Sequence, residues 1–196
     1  MAIEPKFRPA TLADASALAV LVDIAGEGAP NWFWRSLAGP GQSALEVGRE
    51  RARREEGGFS YRHATLAAVG DDIAAGLIVY PLDEPYDLTG LDAMPPVAQP
   101  LVRLEAQAPG SWYINVLAAF LEFRGQGIGT KLLEIAEAKG REAGAKAMSI
   151  IVGSWNERAT RLYQRAGYAT IASEPAILPP EAPQAGDWIL MTRPIA

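Results

Sequence analysis

A nearly continuous apolar run, Trp112-Tyr113-Ile114-Asn115-Val116-Leu117-Ala118-Ala119-Phe120, crosses the middle of the chain. Apolar residues on both faces suit a strand that is covered on both sides, so this run predicts a central strand. From Ile128 to Glu142 the spacing becomes helical. Ile128, Leu132, Ile135 and Ala136 share a face, Glu137 and Arg141 form an outer i, i+4 pair, and Gly144 ends the helix. Lys146 to Val152 reads as the next strand. Two strands joined through a helix predict a right-handed parallel crossover.

The rest of the chain reads around this unit. Lys6-Phe7-Arg8-Pro9 predicts a short first strand. Thr11 with Asp14 gives a Ser/Thr-x-x-acid helix start, and Ala15, Leu18, Ala19 and Val22 continue at helical spacing until Gly26. Trp32-Phe33-Trp34 follows, either as a short helix that buries two of the rings or as the aromatic wall of a substrate pocket. Ser43 and Glu46 form a capping box for a helix to about Glu56, whose four Glu and four Arg predict a solvated face. Residues 63–69 and 73–80 read as an antiparallel hairpin turning at Gly70-Asp71-Asp72, with His63 a structural or surface residue at its entrance. Residues 81–110 hold six prolines and predict an insertion with one short helix near Leu101 to Gln107. Asn156 caps a short helix carrying Ala159, Leu162, Tyr163 and Ala166 on one face, and Gly167 ends it. Strands at Tyr168 to Ala172 and Asp187 to Thr192 complete the pattern.

Composition narrows the function classes. The 196 residues carry a net charge of −5, which disfavours nucleic acid as the main partner, since that affinity comes from Lys and Arg on phosphates. No cysteine and one histidine leave no thiolate chemistry and no two-histidine metal site, so no metal is expected. No apolar stretch reaches membrane-spanning length and no signal peptide is evident, so a cytoplasmic location and a single domain are the expectations.

The chemistry concentrates in Arg124-Gly125-Gln126-Gly127-Ile128-Gly129-Thr130, where the central strand passes through a glycine loop into a helix. Backbone N–H groups at a helix start, with the positive end of its dipole, make an anion site. A side chain at the glycines would obstruct a phosphate's approach to the main chain. Alternating glycines do not match the dinucleotide fingerprint, and the following strand lacks its acidic residue, so a redox enzyme using NAD is disfavoured. The order Gly129-Thr130-Lys131 also does not match the nucleotide-triphosphate loop.

Arg124-Gly125-Gln126-Gly127-Ile128-Gly129 resembles the Gln/Arg-x-x-Gly-x-Gly/Ala signature of the GNAT N-acyltransferase superfamily. Asn156, Ala159, Leu162-Tyr163 and Gly167-Tyr168 resemble its second block, and residues 7–15 resemble a common GNAT opening. One departure is Ala119 to Phe123, where many relatives carry a proline. The resemblance implies an α/β (α+β) GNAT fold with a mixed central sheet of about six to seven strands flanked by helices. Residues 11–57 would form a helical acceptor region, 81–110 a variable insertion and 111–170 the acyl-CoA-binding core.

The resemblance also implies an activity: transfer of an acetyl group from acetyl-CoA to an amine by direct attack in a ternary complex. The pyrophosphate would sit on Gln126 to Thr130, flanked by Arg124 and Gly125. The pantetheine arm would pair with Val116, Leu117 and Ala118, where the central strand splays from the next. The Leu117 N–H would polarise the thioester carbonyl, and Tyr163 would protonate the leaving thiolate. Asn156 would lie near the cofactor, as a helix cap, or both. The general base stays open among Glu105, Asn115 through water, and Glu122. With no assignable base, a catalytically silent CoA-binding sensor on the same fold is the alternative. Trp32, Trp34 and Tyr86, with Asp83, Glu84 and Asp87, suggest an acidic, partly apolar acceptor pocket consistent with a cationic small-molecule or peptide amine. A homodimer fits the way C-terminal strands of such folds pair or exchange.

Overall fold

The computed structural model describes residues 4–195. Its strands are β1 (Lys6–Pro9), β2 (Ala64–Val69), β3 (Asp72–Pro81), β4 (Trp112–Ala119), β5 (Ala147–Gly153), β6 (Ala169–Pro175) and β7 (Asp187–Pro194). They form one sheet in the order β1-β2-β3-β4-β5-β7-β6. Strand β4 runs parallel to β5, as the crossover predicts, while β1–β2, β2–β3, β5–β7 and β6–β7 are antiparallel. The α-helices are α1 (Ala15–Ala25), α2 (Ala29–Leu37), α3 (Ala44–Ala52), α4 (Gln99–Glu105), α5 (Ile128–Glu142) and α6 (Glu157–Arg165). This is the mixed α/β architecture expected of the resemblance. The chain divides into two compact units: one holds the chain up to Val79 with Asn115–Leu132, the other Tyr80–Ile114 with the chain from Leu133 on.

In the first unit, the turn into α1 is built by Asp14. Its carboxylate accepts from the backbone N–H and hydroxyl of Thr11 (2.7 and 2.9 Å) and from both guanidinium nitrogens of Arg8 (2.8 and 2.7 Å). The α1 face predicted by spacing is the buried one: Ala15, Leu18, Ala19 and Val22, joined by Leu21. Helix α3 keeps its capping box, with the Ser43 N–H donating to Glu46 Oε2 at 2.8 Å and the Glu46 N–H to Ser43 Oγ at 3.2 Å. It stops at Ala52 and not near Glu56. Residues 53–56 are exposed and offer no apolar face whose burial would hold a further turn. The Ser60 hydroxyl also donates to the Arg54 carbonyl at 2.6 Å. His63 lies in a 3-10 turn, Tyr61–His63, and β2 starts one residue later than the sequence suggests.

In the second unit, the core gathers Leu82, Leu104, Ala108, Tyr113, Trp188 and Leu190. The insertion folds a 3-10 turn (Leu91–Ala93) before α4, and α4 starts and ends two residues earlier than expected. Glu137 is not an outer-face residue. It accepts from Arg141 (2.9 Å), as the i, i+4 spacing suggests, and from both terminal nitrogens of Arg193 on β7 (2.8 and 3.3 Å). Helix periodicity alone has no view of a partner 56 residues away. The hydroxyls of Ser111 and Ser149 share a buried hydrogen bond of 2.6 Å beside the β4–β5 register that pairs Trp112 with Met148 and Ile114 with Ile150.

Candidate active site

Strand β4 ends at Ala119, and a 3-10 turn, Leu121–Phe123, turns the chain into the glycine loop. The Phe120 N–H donates to the Ala74 carbonyl (3.0 Å), which anchors the start of the turn to β3. The Arg124 Nε–H donates back to the Ala119 carbonyl (3.0 Å), and the Gln126 side-chain amide donates to the Glu122 carbonyl (3.0 Å). These bonds close the turn without using the N–H groups that follow. Gly125 and Gly127 both have φ of 81°, a region that strains any residue with a Cβ. A Cβ at Gly127 would meet no protein atom within 4 Å, so packing within the chain does not explain the glycine there. Backbone conformation and access to the main chain do. Residues 124–127 are exposed, and α5 opens at Ile128. Its first N–H groups, at Ile128, Gly129 and Thr130, have no intrahelical acceptor by geometry and sit at the positive end of a 15-residue helix. This loop has the chemistry to hold an anion such as a diphosphate.

On β4, Val116 and Ala118 are buried while Leu117 is half-buried, as the alternation of a strand requires. Asn156 caps α6: its side-chain oxygen accepts from the Ala159 N–H at 3.1 Å. Tyr163, on the apolar face of α6, is 5% exposed, and its ring centroid lies 6.0 Å from that of Tyr168. Burial, then the neighbouring Tyr168, push its phenol above the ordinary tyrosine value, so it carries its proton throughout the neutral range.

The acceptor-side residues separate. Trp34 is a core residue, 2% exposed, its ring stacked on Phe59 with centroids 5.8 Å apart and packed against Gly48. Trp32 is half-buried on α2 in the same unit. Tyr86 belongs to the second unit, where its hydroxyl donates to Glu105 at 2.5 Å. Tyr113 also hydrogen-bonds to the Glu105 carboxylate. Tyr80 lies close enough for the Glu105 charge to act on its phenol, and it packs edge-on against Tyr113 with centroids 5.6 Å apart. Glu105 is thus ringed by three tyrosines. Burial raises its carboxyl above the ordinary range, and the two phenol hydrogen bonds oppose that shift. The sequence singles out Glu105 and Tyr86 but has no signal for Tyr80 and Tyr113, which read as ordinary strand aromatics.

The sequence model of the Acetyltransferase (GNAT) family matches residues 30–168. A mycothiol acetyltransferase from Propionibacterium freudenreichii subsp. shermanii is 32% identical over 66 residues, 34% of this chain and 21% of that protein. The shared stretch therefore spans about a fifth of that relative. Among solved structures, an N-acetyltransferase from Staphylococcus aureus Mu50 aligns with a TM-score of 0.65 and 18% identity, over 96% of this chain and 100% of its own. The Salmonella typhimurium protein yncA, solved with its cofactor acetyl-CoA, aligns with a TM-score of 0.59 and 15% identity, over 98% of this chain and 94% of its own. These two likenesses concern the fold. The family match covers most of the chain: the chain belongs to the GNAT family of acetyltransferases.

Proposed function

We propose that this chain transfers an acetyl group from acetyl-CoA to an amine by direct attack in a ternary complex. The observation that carries the reading is the glycine loop: exposed, left-handed at Gly125 and Gly127, and opening on the free N–H groups of α5. Such a loop fits a pyrophosphate, and the N–H groups of Gln126 to Thr130 hold it, with the Arg124 side chain beside them. The backbone of Val116 to Ala118 orients the pantetheine arm. Acetyl-CoA supplies the thioester.

The chain's own groups do the rest. The Leu117 N–H stabilises charge on the thioester oxygen as the amine nitrogen bonds to the carbonyl carbon. The carbon–sulfur bond breaks, and the Tyr163 hydroxyl gives its proton to the departing sulfur. The amine's own proton leaves through Glu105, through Glu122 or through water held by Asn115. Asn156 keeps α6, and so Tyr163, in place.

Two substitutions test this. Gly127→Val should weaken acetyl-CoA binding by at least about tenfold in calorimetry while the far-ultraviolet spectrum stays that of wild type. Tyr163→Phe should lower turnover by about a hundredfold with acetyl-CoA affinity kept. Unchanged binding in Gly127→Val would sink the loop assignment. Tight acetyl-CoA binding with no release of CoA thiol on any amine would leave a CoA-binding module in place of an enzyme.

A further inference from the structure

Helix α6 has little to hold it. Of its nine residues only Tyr163 is buried, and a helix of that length is marginal without packing or caps. At its first turn Asn156 supplies a cap. At its last turn the bonds are local. The Ala166 N–H donates to the Leu162 carbonyl at 3.1 Å, the Gly167 N–H to the Gln164 carbonyl at 3.0 Å and the Tyr168 N–H to the Tyr163 carbonyl at 3.0 Å. Among the described residues nothing hydrogen-bonds to the Tyr163 hydroxyl. Its aim therefore depends on how the ring is packed, and the Tyr168 ring is its aromatic neighbour.

What holds Tyr168 comes from other elements of the same unit. The β6–β7 register opposes Ala169 to Thr192, which sets Tyr168 beside Arg193. The Arg193 stem lies over the turn that ends α6: a Cβ at Gly167 would stand 3.5 Å from its Cδ and its Nε. Burial raises the Tyr168 phenol, the Arg193 charge lowers it and the Glu137 charge raises it, so both charges lie near that ring. Glu137 on α5 grips the guanidinium by both terminal nitrogens, at 2.8 and 3.3 Å, a bidentate geometry that fixes direction as well as distance. The side chains are 19% and 34% exposed, so water screens this pair less than a surface pair. We propose that Glu137 and Arg193 form a positioning clamp for Tyr163. The pair holds the Gly167 turn and the Tyr168 ring, and these hold the phenol that gives its proton to the departing sulfur; this rests on the reading of Tyr163 as the proton donor. The clamp acts through Tyr168 and not on the substrate. Without it the phenol keeps its proton but loses its aim, and a misplacement of about 1 Å costs up to about a hundredfold in rate.

The test is a double-mutant cycle of Glu137→Gln with Tyr163→Phe. Glu137→Gln keeps the side chain's size and removes the charge that grips Arg193. It should lower kcat by at least about tenfold while acetyl-CoA affinity in calorimetry is kept. In the Tyr163→Phe background the same substitution should cost less than about twofold, because the group that it positions is gone. Arg193→Lys, which keeps the stem and the cation but not the bidentate grip, should show the same pattern at smaller size. Fluorine NMR of the chain labelled with 3-fluorotyrosine reads the clamp without turnover. Of the six tyrosines, Tyr163 and Tyr168 should give lines that shift and broaden in Glu137→Gln, and the other four should not. Unmoved Tyr163 and Tyr168 lines overturn the proposal. Where Tyr163→Phe lowers turnover, equal losses from Glu137→Gln in both backgrounds also overturn it, as does an unchanged kcat or a loss carried by acetyl-CoA affinity. Moved lines with wild-type turnover in Tyr163→Phe support the clamp and refute the proton-donor reading instead.

Discussion

Asp14 shows how much one side chain can organise. It accepts four hydrogen bonds, from Arg8 and Thr11, and the Arg8 guanidinium before all else draws its pKa down to about 2. A carboxyl whose folded value lies below the unfolded one, near 3.9, stabilises the fold above that unfolded value. The contribution is lost as pH falls toward 2. Full linkage would be worth about 2.5 kcal/mol, but the Arg8 side chain is 42% exposed and solvent screens the pair, so about 1 kcal/mol is expected. Asp14→Asn should lower stability by that amount in thermal melts at pH 7, and the gap to wild type should close by pH 2. A gap that persists at pH 2 would show that the charge is not what matters. The Thr11–Asp14 contact was legible because it is a helix-start signal three residues long, whereas the Arg8 partner comes from the structure. Glu105 was legible only as a carboxylate before a strand, because Tyr86 and Tyr113 reach it from 19 residues before and 8 after, through tertiary packing.

Among the elements, α2 and α3 show where helix rules yield to packing. Gly48 sits inside α3, where glycine costs about 1 kcal/mol relative to alanine. Replacing it with alanine would ordinarily stabilise. Here a Cβ would stand 2.4 Å from a ring carbon of Trp34, a buried indole already stacked on Phe59. Overpacking of a filled core costs about 1 to 3 kcal/mol, so the clash outweighs the propensity gain. Gly48→Ala should lower the melting temperature, and a rise would show that Trp34 has room to move. The aromatic triplet was ambiguous in sequence between core and pocket wall. Period alone could not say that Trp34 faces a glycine on the next helix. The same limit shortened α3: its capping box marked the start, but its end depended on what residues 53–56 had to pack against.

For the whole molecule, ligand binding couples to stability. Acetyl-CoA at 100 times its Kd adds about 2.7 kcal/mol, which for a chain of this length raises Tm by about 5 to 10 °C. NADH should give no shift, since the loop lacks the dinucleotide spacing and its acidic residue. Equal shifts from the two ligands would reopen the redox reading. The sequence by itself determined the strand–helix–strand core, the glycine loop with its anion chemistry and the N-caps. Each of these depends on neighbours within a few residues, where periodicity and backbone geometry are sufficient. Only the tertiary structure decided which aromatics are core, that Glu137 is shared by Arg141 and Arg193, and that Glu105 stands among three tyrosines. Those outcomes depend on contacts between residues far apart in the chain, and burial sets the energy of each one.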